Sequence, residues 1–187
     1  MLGSFAANGV ELFARQCLNS VYNPQSATKG GATPGFWTTI LWKQLMGPHV
    51  LNVSLPANSG VRAYAQRDAE QGFTLMLLNL RASATRTDVA GIAPGGCKAK
   101  KYTLEAGPER SRGSTVLLNG ELLDFADENA TALPPITGAA AACDRVSLPP
   151  HSVTWLVIAT HEKTHTLESD DALLPHLNWT PTWDMAK

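Results

Sequence analysis

The stretch GFWTTILWKQLMGPHVLNV, residues 35–53, changes its hydrophobic period at a single point. Before Pro48, Phe36, Trp37, Ile40, Leu41 and Leu45 recur at helical spacing and make one broad apolar face, while Lys43 and Gln44 fall elsewhere. Pro34 and Gly35 open the segment, Gly47 is the expected residue just past its end, and Pro48 cannot continue a helix. The spacing predicts a helix over 36–46. After Pro48 only short β-type runs follow. A helix with so wide an apolar face needs a large apolar partner.

The runs after Pro48 predict strands at 49–55, 61–65, 73–80, 101–105, 115–118, 121–124 and 152–160. Asn119-Gly120 lies between two of them and is a strong two-residue hairpin signal. Turn-rich segments separate the others at the spacing of a β-sandwich. Region 48–160 therefore reads as an antiparallel β-sandwich. Upstream, GVELFARQCL (9–18) is mostly apolar without alternation, as in a strand buried on both faces. Residues 19–35 are rich in Asn, Gly, Ser, Thr and Pro and read as a long loop. Residues 1–47 are then one strand-loop-helix unit with no sheet of its own. Residues 161–187, with Pro175 and Pro181, read as an irregular tail.

At 187 residues the chain is long enough for one domain, or for one domain and a piece of another. Its 44% hydrophobic and 17% charged content fits a folded soluble protein. A net charge of -1 gives no electrostatic pull toward nucleic acid or acidic lipid. No run of about 18 apolar residues is present to cross a membrane as a helix. The three cysteines, Cys17, Cys97 and Cys143, allow one internal bridge and a free thiol, in any of three pairings. Three Asn-x-Ser/Thr triplets, at Asn52, Asn129 and Asn178, point outward from the cytosol, although Pro181 disfavours the third. The opening MLGSFAANGVELFARQ has neither a basic start nor a long apolar core, so it does not read as a secretion signal. Outward-pointing triplets without such a signal suggest a missing upstream segment.

FWTTILWKQLMGPHVL, FTLMLLNL, KYTLEAGPERSRGSTVLLNGELL and the pair ALPPI and VSLPPHSVTWLVI occur in one order over residues 2–159. In that order they resemble the C-terminal part of heparanase-like proteins, glycoside hydrolase family 79, with the plant and algal branch most similar. The resemblance implies a (β/α)8 barrel followed by a β-sandwich. Residues 9–18 would be the last barrel strand and 36–46 the last barrel helix. It further implies hydrolysis of β-linked glucuronic-acid-type glycosidic bonds by a retaining mechanism. That mechanism needs two carboxyl groups about 5–5.5 Å apart. The family's two catalytic glutamates stand near the ends of barrel strands four and seven, so neither is expected in this chain. The resemblance implies no cofactor, a glycan or proteoglycan substrate, and an extracellular or lysosomal/vacuolar setting with peripheral membrane association. The loop after the last barrel strand contacts sugar in the family. Here it reads NSVYN, so Tyr22 alone carries over as a substrate-binding residue. Where the family often has a cysteine after an Arg-x-Tyr strand, this chain has RAYAQR and Arg67, so a bridge from that position is not available.

Other candidates have simpler readings. Glu11, on the expected barrel strand, reads as a structural carboxylate paired with Arg15. Trp37 and Trp42 could form a sugar-stacking platform, but their helical setting favours core packing. His161-Glu162-Lys163-Thr164-His165 spells the zinc motif H-E-x-x-H, with Glu168 or Asp170 as a third ligand. It follows a strand and lacks helical periodicity, so a solvated turn explains it better. Glu105, Glu109, Glu121, Asp124, Asp127 and Glu128 read as solvated faces and turns. Two alternatives to the glycosidase are a non-catalytic carbohydrate-binding or scaffold module and a zinc hydrolase. The helix over 36–46, separated from the rest of a barrel, is expected to be sticky, and the region from 49 to fold alone.

Overall fold

The structure, a computed structural model, describes residues 1–10, 32–55, 59–68, 72–87, 89, 98–108, 115–125, 132–143 and 145–159. Its elements are α1 (Leu2–Ala7), α2 (Pro34–Leu45), β1 (His49–Leu51), β2 (Val61–Asp68), β3 (Gly72–Asn79), β4 (Thr85–Thr87), β5 (Lys98–Ala106), β6 (Val116–Leu118), β7 (Glu121–Leu122), β8 (Ala139–Ala142), β9 (Val146–Leu148) and β10 (Val153–Ile158). Eight strands form one main antiparallel sheet in the order β1-β2-β3-β10-β5-β6-β7, with β8 also pairing β5. β4 and β9 form a separate two-stranded sheet. The chain is thus mainly β, as its sequence predicts, but the two sheets are very unequal.

β3 and β10 sit at the centre, and both are near-continuous apolar runs. A one-sided antiparallel strand alternates apolar and polar residues, so a continuous run means that both faces are covered. The register shows how. Trp155 lies between Met76 and Tyr102, and Leu156 between Leu75 and Lys101. Because successive side chains point to opposite faces, Leu75, Leu77, Leu156 and Ile158 share one face with Val146 and Leu148 of the small sheet. Met76, Tyr102, Leu104 and Trp155 share the other with Trp37 and Leu41 of α2. The arrangement is three layers: small sheet, main sheet, helix.

The partner for α2 is therefore the main sheet. Trp37 and Leu41 are fully buried, while Phe36, Trp42, Leu45 and Met46 flank them against the same cluster. Burying Leu41 alone contributes about 1.5–3 kcal/mol. This corrects the expectation of a helix left without a partner. The central strands β3 and β10 have two apolar faces to cover, and α2 covers one of them. α2 begins at the N-cap Thr33, whose Oγ1 accepts from the Phe36 N–H at 3.4 Å, with Pro34 in the first turn. It ends at Met46 in an extended conformation (φ -88, ψ 132). Gly47 is not among the positive-φ glycines, so the expected left-handed cap is not used and the chain runs straight toward β1. The Thr74 hydroxyl on β3 donates to Leu45 O at 2.5 Å, tying the helix end to the sheet.

α1 is a helix that the sequence does not signal: six residues with no side-chain cap at the N-terminus and no acidic first turn. It lies on the helical side of the sheet, where a Cβ on Gly3 would collide with the Tyr64 ring. Gly9 (φ 73) then turns the chain, so the strand predicted over 9–18 does not begin there, and residues 11–18 lie outside those described. At the hairpin, Asn119 (φ 53) and Gly120 (φ 89) take the positive-φ pair expected of Asn-Gly. Asn119 also extends the ladder to β5. Its N–H donates to Thr103 O at 2.8 Å, its Oδ1 accepts from Thr103 N–H at 2.9 Å, and its Nδ2 donates to Thr137 O at 3.1 Å.

Candidate functional site

Most residues singled out for chemistry fall outside those described: Glu11, Arg15, Tyr22, the run 161–165, Glu168, Asp170, Asn129, Asn178, Cys17 and Cys97. Of those that are described, Trp37 is core, as its helical spacing predicts, and Trp42 is half-buried against the same cluster. No sugar platform is open there. The Trp37 ring meets Phe36 edge-on at 5.1 Å and Phe125 at 5.4 Å. Trp37 Nε1 and Trp155 Nε1 are both buried without a hydrogen-bond partner in the described structure.

Of the carboxylates singled out in the sequence, those described lie toward the β5–β7 side of the sheet. Glu105 is half-buried on β5, Glu121 is exposed on β7, and exposed Asp124 accepts from the Phe125 N–H at 2.8 Å. Among the described residues no cluster of three or more His, Cys, Asp or Glu could hold a metal ion. Cys143 is disulfide-bonded and buried in the small-sheet layer. Its partner lies outside the described residues. Asn52 is exposed in the segment that leaves β1, and so is Ser54, two residues on.

What this geometry does is hold elements in fixed relation. A polar side chain with several bonds, one that sequence reasoning missed, is Asn79, at the end of β3 and 1% exposed. Its two Nδ2 N–H groups are shared among Ser83 O at 2.9 Å, Leu148 O at 3.1 Å and Pro149 O at 2.8 Å, and its Oδ1 accepts from the Arg81 N–H at 3.0 Å. One side chain thereby joins the main sheet to β9 and to the turn that leads into β4. The available signal was an amide closing an otherwise apolar strand, where a buried polar group must find partners.

No protein-family model matches the chain. Heparanase of Mus musculus is 31% identical over 171 residues, covering 84% of this chain and 31% of that protein. Baicalin-beta-D-glucuronidase of Scutellaria baicalensis is 28% identical over 125 residues, covering 66% of this chain and 24% of that protein. The chain is a relative of the heparanase-like glycoside hydrolases of family 79. It spans less than a third of the length of either curated relative. Among solved structures, CelM2, a bifunctional glucanase-xylanase protein from a metagenome library, overlaps 62% of this chain and 19% of its own at 18% identity. Its TM-score of 0.35 is too low to define a shared fold.

Proposed function

We propose that this chain is the C-terminal portion of a heparanase-like glycosidase that cleaves β-linked glucuronic-acid-type bonds by a retaining, two-carboxylate mechanism. In this reading residues 1–47 supply the last strand-loop-helix unit of the barrel, and 48–160 the β-sandwich. α2 is then the joint between them, one side fixed to the main sheet and the other turned toward the barrel. Tyr22 contacts the sugar from the loop before α2. The acid/base and nucleophile glutamates belong to the part of the family's length that this chain does not span. The chain alone is therefore inactive, and the whole enzyme acts on a glycan in an extracellular or lysosomal setting. What carries the reading is the 31% identity to a heparanase over 84% of this chain.

The test is a chimera in which this chain replaces the C-terminal portion of an active heparanase-like relative. Hydrolysis of an aryl β-glucuronide by the chimera, reduced by Tyr22→Ala and absent from the isolated chain, is the expected result. Turnover by the isolated chain that vanishes when one of its own carboxylates is replaced would contradict the proposal. Glycan binding by the isolated chain, with an inactive chimera, would favour the non-catalytic carbohydrate-binding module.

A further inference from the structure

The segment after β1 carries a feature that the glycosidase reading does not use. Exposure alternates along residues 51–55: Leu51, Val53 and Leu55 are half-buried, Asn52 and Ser54 exposed. Leu51 and Val53 pack against the small-sheet side of the core. Alternation of this kind sends residues i and i+2 to the same side of the chain, so the Asn52 carboxamide and the Ser54 hydroxyl both face solvent. An Asn-x-Ser acceptor has to lie at the surface, and both Asn52 and Ser54 do. Asn52 is also the one acceptor asparagine of the three that lies among the described residues.

The neighbourhood gives a modification there a purpose. β1 is three residues long and forms an edge of the main sheet, pairing β2 through His49↔Arg67, Val50↔Gln66 and Leu51↔Ala65. Among the described residues no strand pairs its outer side, and Val50 is 47% exposed. An edge with an exposed apolar residue invites pairing with another chain, and folded proteins keep such edges covered. A bulky hydrophilic group one residue past the end of β1 would obstruct that pairing.

We infer that Asn52 is an N-glycosylation site whose oligosaccharide shields the β1 edge. The transfer joins Asn52 Nδ2 to the anomeric carbon of an oligosaccharide carried on a lipid diphosphate. The bond from that carbon to the diphosphate oxygen breaks with its electron pair, the lipid diphosphate leaves, and the amide gives one proton to the transferase's base. The inference rests on the export implied by the proposed function.

The test is expression of the full chain behind a heterologous secretion leader in a glycosylating eukaryotic host, with Asn129→Gln and Asn178→Gln in the background. The leader forces export, so the result bears on Asn52 and not on the natural location or activity. A single glycan mapped to Asn52 by mass spectrometry, lost with Asn52→Gln and with Ser54→Ala and kept with Ser54→Thr, is expected. Enzymatic removal of the glycan should increase self-association, and Val50→Lys should reverse that increase. Secreted protein with Asn52 unmodified, or a glycan that survives Ser54→Ala, overturns the site. Unchanged self-association after deglycosylation overturns the shielding role.

Discussion

The main sheet is covered by different means on its two faces. On the helical face the contacts are large rings and long aliphatic chains: Trp37, Trp155, Phe125 and Tyr102 with Leu41 and Leu104. Two indole N–H groups there have no acceptor in the described structure. On the other face the contacts are smaller, and directional bonds run through them. Asn79 reaches three carbonyls, the Thr103 and Thr154 hydroxyls meet at 3.2 Å, and Cys143 is in a disulfide. The helical face is held mainly by bulk, with the Thr74 hydroxyl to Leu45 O as its tie to the helix end, and the other face is held by bonding as well. The sheet is a shared wall, and the same strand serves two interfaces according to the parity of its residues.

The sharpest probe of that division uses adjacent residues of β10. Trp155 faces α2 and Leu156 faces the small sheet, and neither is exposed. Trp155→Ala is expected to cost about 3–5 kcal/mol and Leu156→Ala about 2–5 kcal/mol, read by denaturant unfolding. Trp155→Phe should cost less than Trp155→Ala, because it restores part of the volume and removes a buried donor that has no acceptor. An Asn79→Ala variant should come next, losing on the order of 2–3 kcal/mol as buried carbonyls around β9 are left unsatisfied. A loss as small as that of an exposed substitution would remove Asn79 as the link between the sheets.

The smallest effect is expected at the hairpin. Asn119→Ala should cost about 1–2 kcal/mol, since alanine is strained at positive φ and the side-chain bonds to Thr103 and Thr137 are lost. Asn119→Gly relieves the backbone strain and should recover part of that loss. Equal stability of the alanine and glycine variants would show that the conformation at Asn119 is not what the asparagine supplies.

Patterns that depend on one strong local signal were legible in the sequence. The helix over 36–46 came from periodicity and the stop at Pro48, and the Asn119-Gly120 hairpin from its turn chemistry. β3 and β10 came from their continuous apolar runs. Elements whose existence depends on a tertiary partner were not legible. β8 is four alanines, poor strand formers by themselves, ordered by pairing Ala139–Ala142 with β5. β4 and β9 are three residues each and exist by pairing with one another over an apolar face. α1 has no side-chain cap at its N-terminus, and Gly3 fits it against Tyr64. The chemistry was the least legible part. Tyr22 and the other loop candidates lie outside the described residues, while Asn79, a polar group with several bonds, looked from its neighbours like the end of an apolar strand.

The central claim is that α2 is part of the core of this chain. It is tested most directly by comparing the full chain with one that starts at Pro48. The account predicts that the full chain unfolds cooperatively with Trp37 protected from soluble quenchers. The shortened chain exposes Met76, Tyr102, Leu104 and Trp155, binds hydrophobic dye and loses its cooperative transition. A shortened chain that unfolds cooperatively at an unchanged midpoint, without dye binding, would contradict it.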